Sequence, residues 1–228
     1  MSEPNRYYSL AVNGREADVL IFGDITSWPY LASDVSSYNL QHQIAGLDVD
    51  TINVHINSYG GEVAESLAIM NALLQHKAKI VTYVDGFACS GASVVLMAGD
   101  RRVAAKCSNL LVHPAWGGVT GNAAQLRAEA DNLDAITEQS ITAYLARSSK
   151  SREELVSLMG EERFLTPEEA LEWGFVTEIQ DLFSSKQPSQ SVRQLVYDRL
   201  HQSAGQPEPQ TPSQPTQLQH LLTTLGNY

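Results

Sequence analysis

Ser90 stands in a run of small residues, Asp85-Gly86-Phe87-Ala88-Cys89-Ser90-Gly91-Ala92-Ser93. The apolar segment Ile80-Val81-Thr82-Tyr83-Val84 leads into it, and Val94-Val95-Leu96-Met97-Ala98 follows. The pattern predicts a strand, a small-residue turn and a short apolar helix, with Ser90 where turn becomes helix. A hydroxyl in that place is set for nucleophilic attack. Free N–H groups of the first helical turn face it, and the positive end of the helix dipole favours developing negative charge. Gly86, Ala88, Gly91 and Ala92 let a substrate backbone come close. The same residues also suit a plain turn packed under a buried helix, so the nucleophile must be judged by its company.

Acyl transfer needs a base, a group that orients the base, and donors for the oxyanion. Among six histidines, His113 is the best base: it ends a predicted strand beside Pro114 and the Gly-rich loop Trp116-Gly117-Gly118. Sites in α/β domains gather at strand ends. His201 and His220 lie in the C-terminal tail, His42 and His76 on predicted helices, and His55 inside a strand, where packing or a local hydrogen bond is expected. Cys89 is a rival nucleophile beside a helix start, or else a small buried residue. Asn57-Ser58-Tyr59-Gly60-Gly61 joins a strand to a helix and leaves amides free, as an oxyanion clamp or simply as a tight turn. It lacks both G-x-G-x-x-G and a following Lys-Ser/Thr, which speaks against a nucleotide site.

The elements that must hold these residues follow from periodicity and punctuation. Val19-Leu20-Ile21-Phe22 reads as a strand closed by Gly23-Asp24. Ser36 or Ser37 caps a helix with Leu40, Ile44 and Leu47 on one face. A strand over 51–56 precedes a helix over about 62–75 with Val63, Leu67, Met70, Leu73 and Leu74 at helical spacing. Short strands are expected at 101–104 and 110–112. A long helix is expected from about 122 to 147, with Leu126, Ala130, Leu133, Ile136 and Ile141 on one face. Ser151 caps a helix ending at Gly160, and Thr166-Pro167-Glu168-Glu169 starts another that ends at Gly174, before a last strand over 175–179. This alternation predicts an α/β domain with a mostly parallel sheet.

The organisation is a short segment over 1–17, a domain over 18–183 and a tail over 184–228. The tail is rich in Gln, Ser and Pro and is expected to be disordered. Within it, Val192, Leu195, Val196 and Leu200, and again Leu218, Leu221, Leu222 and Leu225, have helical spacing; each set is a docking helix or a transient one. The formal net charge of -11 and pI of about 4.9 argue against nucleic acid as the main partner. Two cysteines are too few for a disulfide framework, so a reducing compartment is expected. The polar start Met1-Ser2-Glu3-Pro4 lacks the apolar core of a signal peptide, and no apolar run reaches spanning length. Together these predict a cytoplasmic protein with no membrane partner.

Four motifs resemble the Clp protease proteolytic subunit family, and more closely its phage head-maturation relatives. They are Ile56-Asn57-Ser58-Tyr59-Gly60-Gly61, Asp85-Gly86-Phe87-Ala88-Cys89-Ser90, Leu111-Val112-His113-Pro114-Ala115-Trp116-Gly117-Gly118 and Arg163-Phe164-Leu165-Thr166-Pro167-Glu168-Glu169-Ala170, in the family's order and spacing over about 18–180. The resemblance implies a crotonase-like fold, a superhelical core of repeated β-β-α units with a protruding long helix that serves as a handle between rings. It implies Ser90 as nucleophile, His113 as general base, and the Gly61 and Gly91 backbone N–H groups as the oxyanion hole. The family's third member is usually an Asp before an Arg-Phe-Leu-like stretch; here that position is Glu162, with Glu161 beside it. Glu carries an extra methylene, which changes the reach to His113.

The expected function is therefore a serine endopeptidase that needs no cofactor and no metal, forms ring-shaped homo-oligomers, and cuts protein substrates. On the phage-like resemblance those are scaffold or capsid proteins in an assembling prohead, with the chain's own tail as a further candidate. Rival expectations are an ATP-dependent housekeeping peptidase, a Ser-Lys peptidase using Lys106, a silent scaffold-binding protein, and an acyl-CoA enzyme of the same fold.

Overall fold

The computed structural model describes residues 10–31 and 33–181. The two tail segments of helical spacing and the expected disorder of the tail lie outside the described residues. The elements are β1 (Leu10–Asn13), β2 (Glu16–Ile21), α1 (Ser37–Ile44), β3 (Thr51–Ser58), α2 (Val63–Gln75), β4 (Lys79–Cys89) and α3 (Gly91–Leu96). They continue with β5 (Arg101–Ala105), β6 (Asn109–Leu111), α4 (Ala123–Leu145), α5 (Arg152–Glu161), α6 (Pro167–Glu172) and β7 (Glu178–Gln180). The sheet runs β1-β2-β3-β4-β5-β7, with β6 added on β4. Every pairing is parallel except β1 with β2, so this is the mixed α/β fold expected.

Strand β3 shows how the sheet reads its sequence. Ile52, Val54, Ile56 and Ser58 point into the core, and Asn53 and His55 point out. The outward residues pair sideways: Asn53 Nδ2 donates to Asp18 Oδ1 at 2.9 Å, and His55 Nδ1 lies 2.8 Å from Asp85 Oδ2. The His55 ring also stacks on Tyr83, so this histidine has the local hydrogen bond expected of it. Inside, a single core joins Val19, Ile21, Ile56, Val84, Leu96 and Leu110. Arg102, also buried, ties β5 to the connection between α6 and β7 by donating to the Phe175 and Gly174 carbonyls at 2.9 and 3.1 Å, and it donates to the Gly99 carbonyl at 2.9 Å.

The caps fall where the sequence put them. Ser36 caps α1, and Ser151 and Thr166 form full capping boxes at α5 and α6. Several expectations need correction. Residues 85–89 are not a turn: β4 runs on to Cys89, because Phe87, Ala88 and Cys89 pair with β6. The sheet starts earlier, with the β1–β2 hairpin turning at Gly14 (φ +62°), and Phe22 lies beyond β2. Leu47 also falls beyond the end of α1. The last strand is β7 at 178–180, and Phe175 and Val176 are buried in the approach to it. On α2 the buried residues are Ser66, Ile69 and Leu73, while Leu74 is exposed.

Helix α4 also departs from a simple buried stripe. Its last turn buries Ser140, Ile141, Ala143 and Tyr144, but Leu126 and Ile136 on the earlier turns are exposed. At about 1.5 Å per residue its 23 residues span roughly 34 Å, so most of its length projects from the core as the resemblance implied. Among the described residues no helix is long and apolar enough to cross a membrane.

Candidate active site

Ser90 sits where β4 ends and α3 begins, with φ 51° and ψ -128°. A left-handed backbone at a non-glycine residue costs about 1–3 kcal/mol and persists only when its surroundings hold it. Here the Ser90 N–H donates to the Leu111 carbonyl at 2.8 Å, and the Ser90 carbonyl accepts from the Ser93 N–H at 2.9 Å and Ser93 Oγ at 2.6 Å. The β6 strand thus pins the residue from one side and α3 from the other.

The paired glycine lies against it. Gly60 has φ +98° and Gly61 φ +143°. A Cβ on Gly60 would meet the Cys89 oxygen at 2.6 Å, the Gly91 nitrogen at 2.7 Å and Ser90 Cβ at 2.8 Å. One on Gly61 would fall 2.1 Å from the Ile25 oxygen. Ile25 N–H donates to Gly60 O and Glu62 N–H to Ile25 O, both at 2.8 Å, and Ser58 Oγ bridges the Gly60 N–H to the Gly23 carbonyl. Gly91 must be small for the same kind of reason, since a Cβ there would meet Ser66 Oγ at 2.2 Å. Among the described residues neither the Gly61 nor the Gly91 N–H donates a hydrogen bond. Two free amides beside the half-buried Ser90 are the parts of an oxyanion hole.

His113 follows β6 and lines the same cleft of about 510 Å³ as Ser90, Gly60, Gly61 and Trp116. Its loop is tied to α4 where the Ala115 N–H donates to Thr137 Oγ1 at 2.9 Å. Gly91 joins Ser90, Gly61 and His113 around a smaller adjoining cavity. Glu162 is the left-handed C-cap of α5 (φ 49°) and shares a cleft of about 290 Å³ with His113, Trp116 and Leu111. Its neighbour Glu161 is engaged elsewhere, accepting from Arg163 at 2.8 Å. Ser90, His113 and Gly61 therefore line one cleft, and Glu162 lines a neighbouring one with His113. Among the described residues no hydrogen bond joins Ser90 Oγ to His113 or His113 to Glu162.

The rivals fare differently. Burial pushes the Cys89 thiol up to about 11, so it is a packed residue and not a thiolate nucleophile. Lys106 pairs with Asp181 at 2.8 Å, which raises its ammonium above the ordinary lysine range. A lysine base needs the opposite shift, and Lys106 does not line the Ser90 cleft.

Three further residues near the site were not singled out from the sequence. Glu62, next to Gly61, lines the cleft, and hydrogen bonds from Ser27 and Thr26 hold its carboxyl below the usual carboxylate range. Ser93 could have been noticed as the second serine of its run. Tyr144 could not, because it arrives from 51 residues along the chain.

A family model for Clp protease matches residues 32–182. The chain is 33% identical over 132 residues to the ATP-dependent Clp protease proteolytic subunit of Deinococcus radiodurans, covering 57% of this chain and 65% of that protein. It is 32% identical over 130 residues both to ATP-dependent Clp protease proteolytic subunit 2 of Mycolicibacterium paratuberculosis and to subunit 1 of Mycobacterium leprae, covering 56% of this chain and 65% of each. The chain thus spans about 65% of the length of the curated relatives it matches. With two thirds of its sequence under that family's model and its α/β core in place, the chain belongs to the Clp protease family.

Proposed function

We propose that the protein is a serine endopeptidase. The observation that carries this reading is the shared cleft of Ser90, His113 and the undonated Gly61 N–H. His113 takes the Ser90 Oγ proton as Oγ attacks the scissile carbonyl. The Gly61 and Gly91 N–H groups hold the resulting oxyanion, and His113 then protonates the leaving amine. Water, deprotonated by His113, attacks the acyl carbonyl, and His113 then gives that proton to Ser90 Oγ as the ester bond breaks. Glu162 orients the imidazole from its other side. Catalytic hydrogen bonds are commonly long without substrate and close in the complex, which is consistent with the open Ser90–His113 pair.

Labelling with a fluorophosphonate, followed by peptide mapping, tests the reading. Label on Ser90 is expected in the wild type and is expected to vanish in Ser90→Ala and His113→Ala. Label that survives His113→Ala, or none on a folded and assembled wild type, overturns it.

The substrates are proteins, and the chain works as a ring-shaped homo-oligomer. The exposed Leu126 and Ile136 on projecting α4 support that assembly, and molar mass by light scattering checks it. In its finer form this is a head-maturation protease that cuts scaffold or capsid proteins, on the strength of the motif resemblance around Ser90 and His113. The names of the relatives favour a second reading, a peptidase driven by an ATP-dependent unfoldase. Cleavage of a folded substrate that appears only with an unfoldase and ATP selects the second; unaided cleavage of scaffold protein selects the first.

A further inference from the structure

The strained Ser90 peptide is held by a chain of hydroxyls from outside the catalytic set. Ser93 is fully buried, and its Oγ lies 2.6 Å from the Ser90 carbonyl oxygen and 2.8 Å from the Tyr144 hydroxyl. A carbonyl only accepts and Ser93 has one proton, so Ser93 donates to Ser90 and Tyr144 donates to Ser93. Tyr144 comes from the buried last turn of α4, and burial raises its phenol above the ordinary range, so the proton stays on its oxygen. The carbonyl at the end of this chain belongs to the same rigid peptide unit as the Gly91 N–H. Hydrogen bonds received by a carbonyl draw electron density to its oxygen and strengthen the N–H across the unit as a donor. They also fix the plane of that unit, and with it the direction in which the Gly91 N–H points.

We infer that Tyr144 and Ser93 are positioning residues for the oxyanion, acting through the Ser90–Gly91 peptide. The relay runs from Tyr144 Oη–H to Ser93 Oγ, from Ser93 Oγ–H to the Ser90 carbonyl, and from the Gly91 N–H to the oxyanion. No proton changes owner. The relay acts where negative charge develops, so it stabilises the transition state more than bound substrate. This rests on the serine peptidase reading above.

A pair that merely satisfied two buried hydroxyls would look the same in a static structure, but it would respond differently to substitution. Ser93→Ala leaves the buried Tyr144 hydroxyl without an acceptor, which lowers stability. Adding Tyr144→Phe removes the orphaned group, yet it restores nothing to the Ser90 carbonyl.

The test measures melting temperature, peptide hydrolysis and binding of a peptide aldehyde. The aldehyde carbon adds Ser90 Oγ and places its oxyanion in the same hole. The full-length wild type is compared with Tyr144→Phe, Ser93→Ala and the double variant. Tyr144→Phe is expected to lower kcat about threefold to tenfold at unchanged KM and to weaken the aldehyde by a similar factor. Ser93→Ala is expected to lower kcat about tenfold or more and to lower the melting temperature as well. The double variant is expected to regain melting temperature while keeping the low kcat. Recovery of kcat along with stability, or Tyr144→Phe with wild-type kcat and aldehyde affinity, overturns the relay alone. A wild type that is not acylated at Ser90 overturns the peptidase reading and the relay with it.

Discussion

The two halves of the candidate site are built in opposite ways. Around Ser90, Gly60 and Gly61 the backbone is packed so closely that a single added methyl would overlap Ile25, Cys89 or Gly91 atoms. Around His113 and Glu162 the side chains have no hydrogen-bond partner among the described residues, the loop hangs from α4 by the Ala115–Thr137 bond, and Trp116 is 82% exposed. The difference matches what each half must do. Stabilising an oxyanion requires donors fixed before the charge appears, since reorganisation at that moment costs rate. A proton carrier needs only to come within reach during the reaction. The rigid half is made from strand ends and buried helix, and the adjustable half from a surface loop.

The strongest test of the rigid half is Gly61→Ala. A methyl there would sit 2.1 Å from the Ile25 oxygen at a φ that side chains rarely adopt. Loss of about 10²-fold or more in kcat is expected, with a lower melting temperature. Near-normal turnover in a folded Gly61→Ala protein would remove the contrast. Next comes Glu162→Gln, which keeps the shape and removes the charge. It is expected to lower kcat/KM about tenfold to a hundredfold with little change in melting temperature. Glu161→Gln, whose carboxylate is taken by Arg163, is expected to lower it less than about twofold. Equal losses in the two variants would show that neither carboxylate orients His113. Thr137→Val cuts the one hydrogen bond that, among the described residues, joins the His113 loop to α4. A fall in kcat of about fivefold is expected, alongside faster proteolysis at the loop.

The smallest effect lies away from the cleft. Asp85 raises the His55 imidazole above its ordinary value of 6.5, chiefly through their hydrogen bond. A raised folded value means that the pair stabilises the fold fully below pH 6.5, and that the gain is lost as pH rises through the folded value. Melting curves of wild type and Asp85→Asn are therefore expected to differ most near pH 6 and to converge at high pH. The difference stays below about 1 kcal/mol because both side chains are partly solvated. A difference that grew with pH would reverse the assignment.

Ser90, His113 and the paired glycine were legible because each stands at a boundary between elements, where caps, glycines and the end of apolar alternation leave a local mark. The limits are equally specific. The stretch 85–89 reads as a turn because Gly86, Ala88 and Cys89 are small, yet it is strand. Its partner β6 lies 20 residues downstream, and nothing local announces the pairing. On α2 hydrophobicity alone finds Leu73, with Leu67 and Met70 packed on the core, but it misses Ser66. Ser66 takes the inward place because Gly91 comes so near that a larger side chain would not fit. Leu10–Asn13 gave no signal because its side chains are mostly exposed and its pairing to β2 supplies the order. Glu162 rests on the motif resemblance alone, and the structure adds that Arg163 takes up its neighbour Glu161.

The bond from the Ser90 N–H to the Leu111 carbonyl has a consequence for when the cleft is assembled. Ser90 leaves the ribosome before the strand that fixes it, and before the α4 tyrosine that secures its carbonyl. Until those later segments dock, only the local bonds from α3 act on the residue, and its costly left-handed geometry is held from one side alone. The Ser90 geometry on which the proposed peptidase depends is thus completed only in the closing stage of folding.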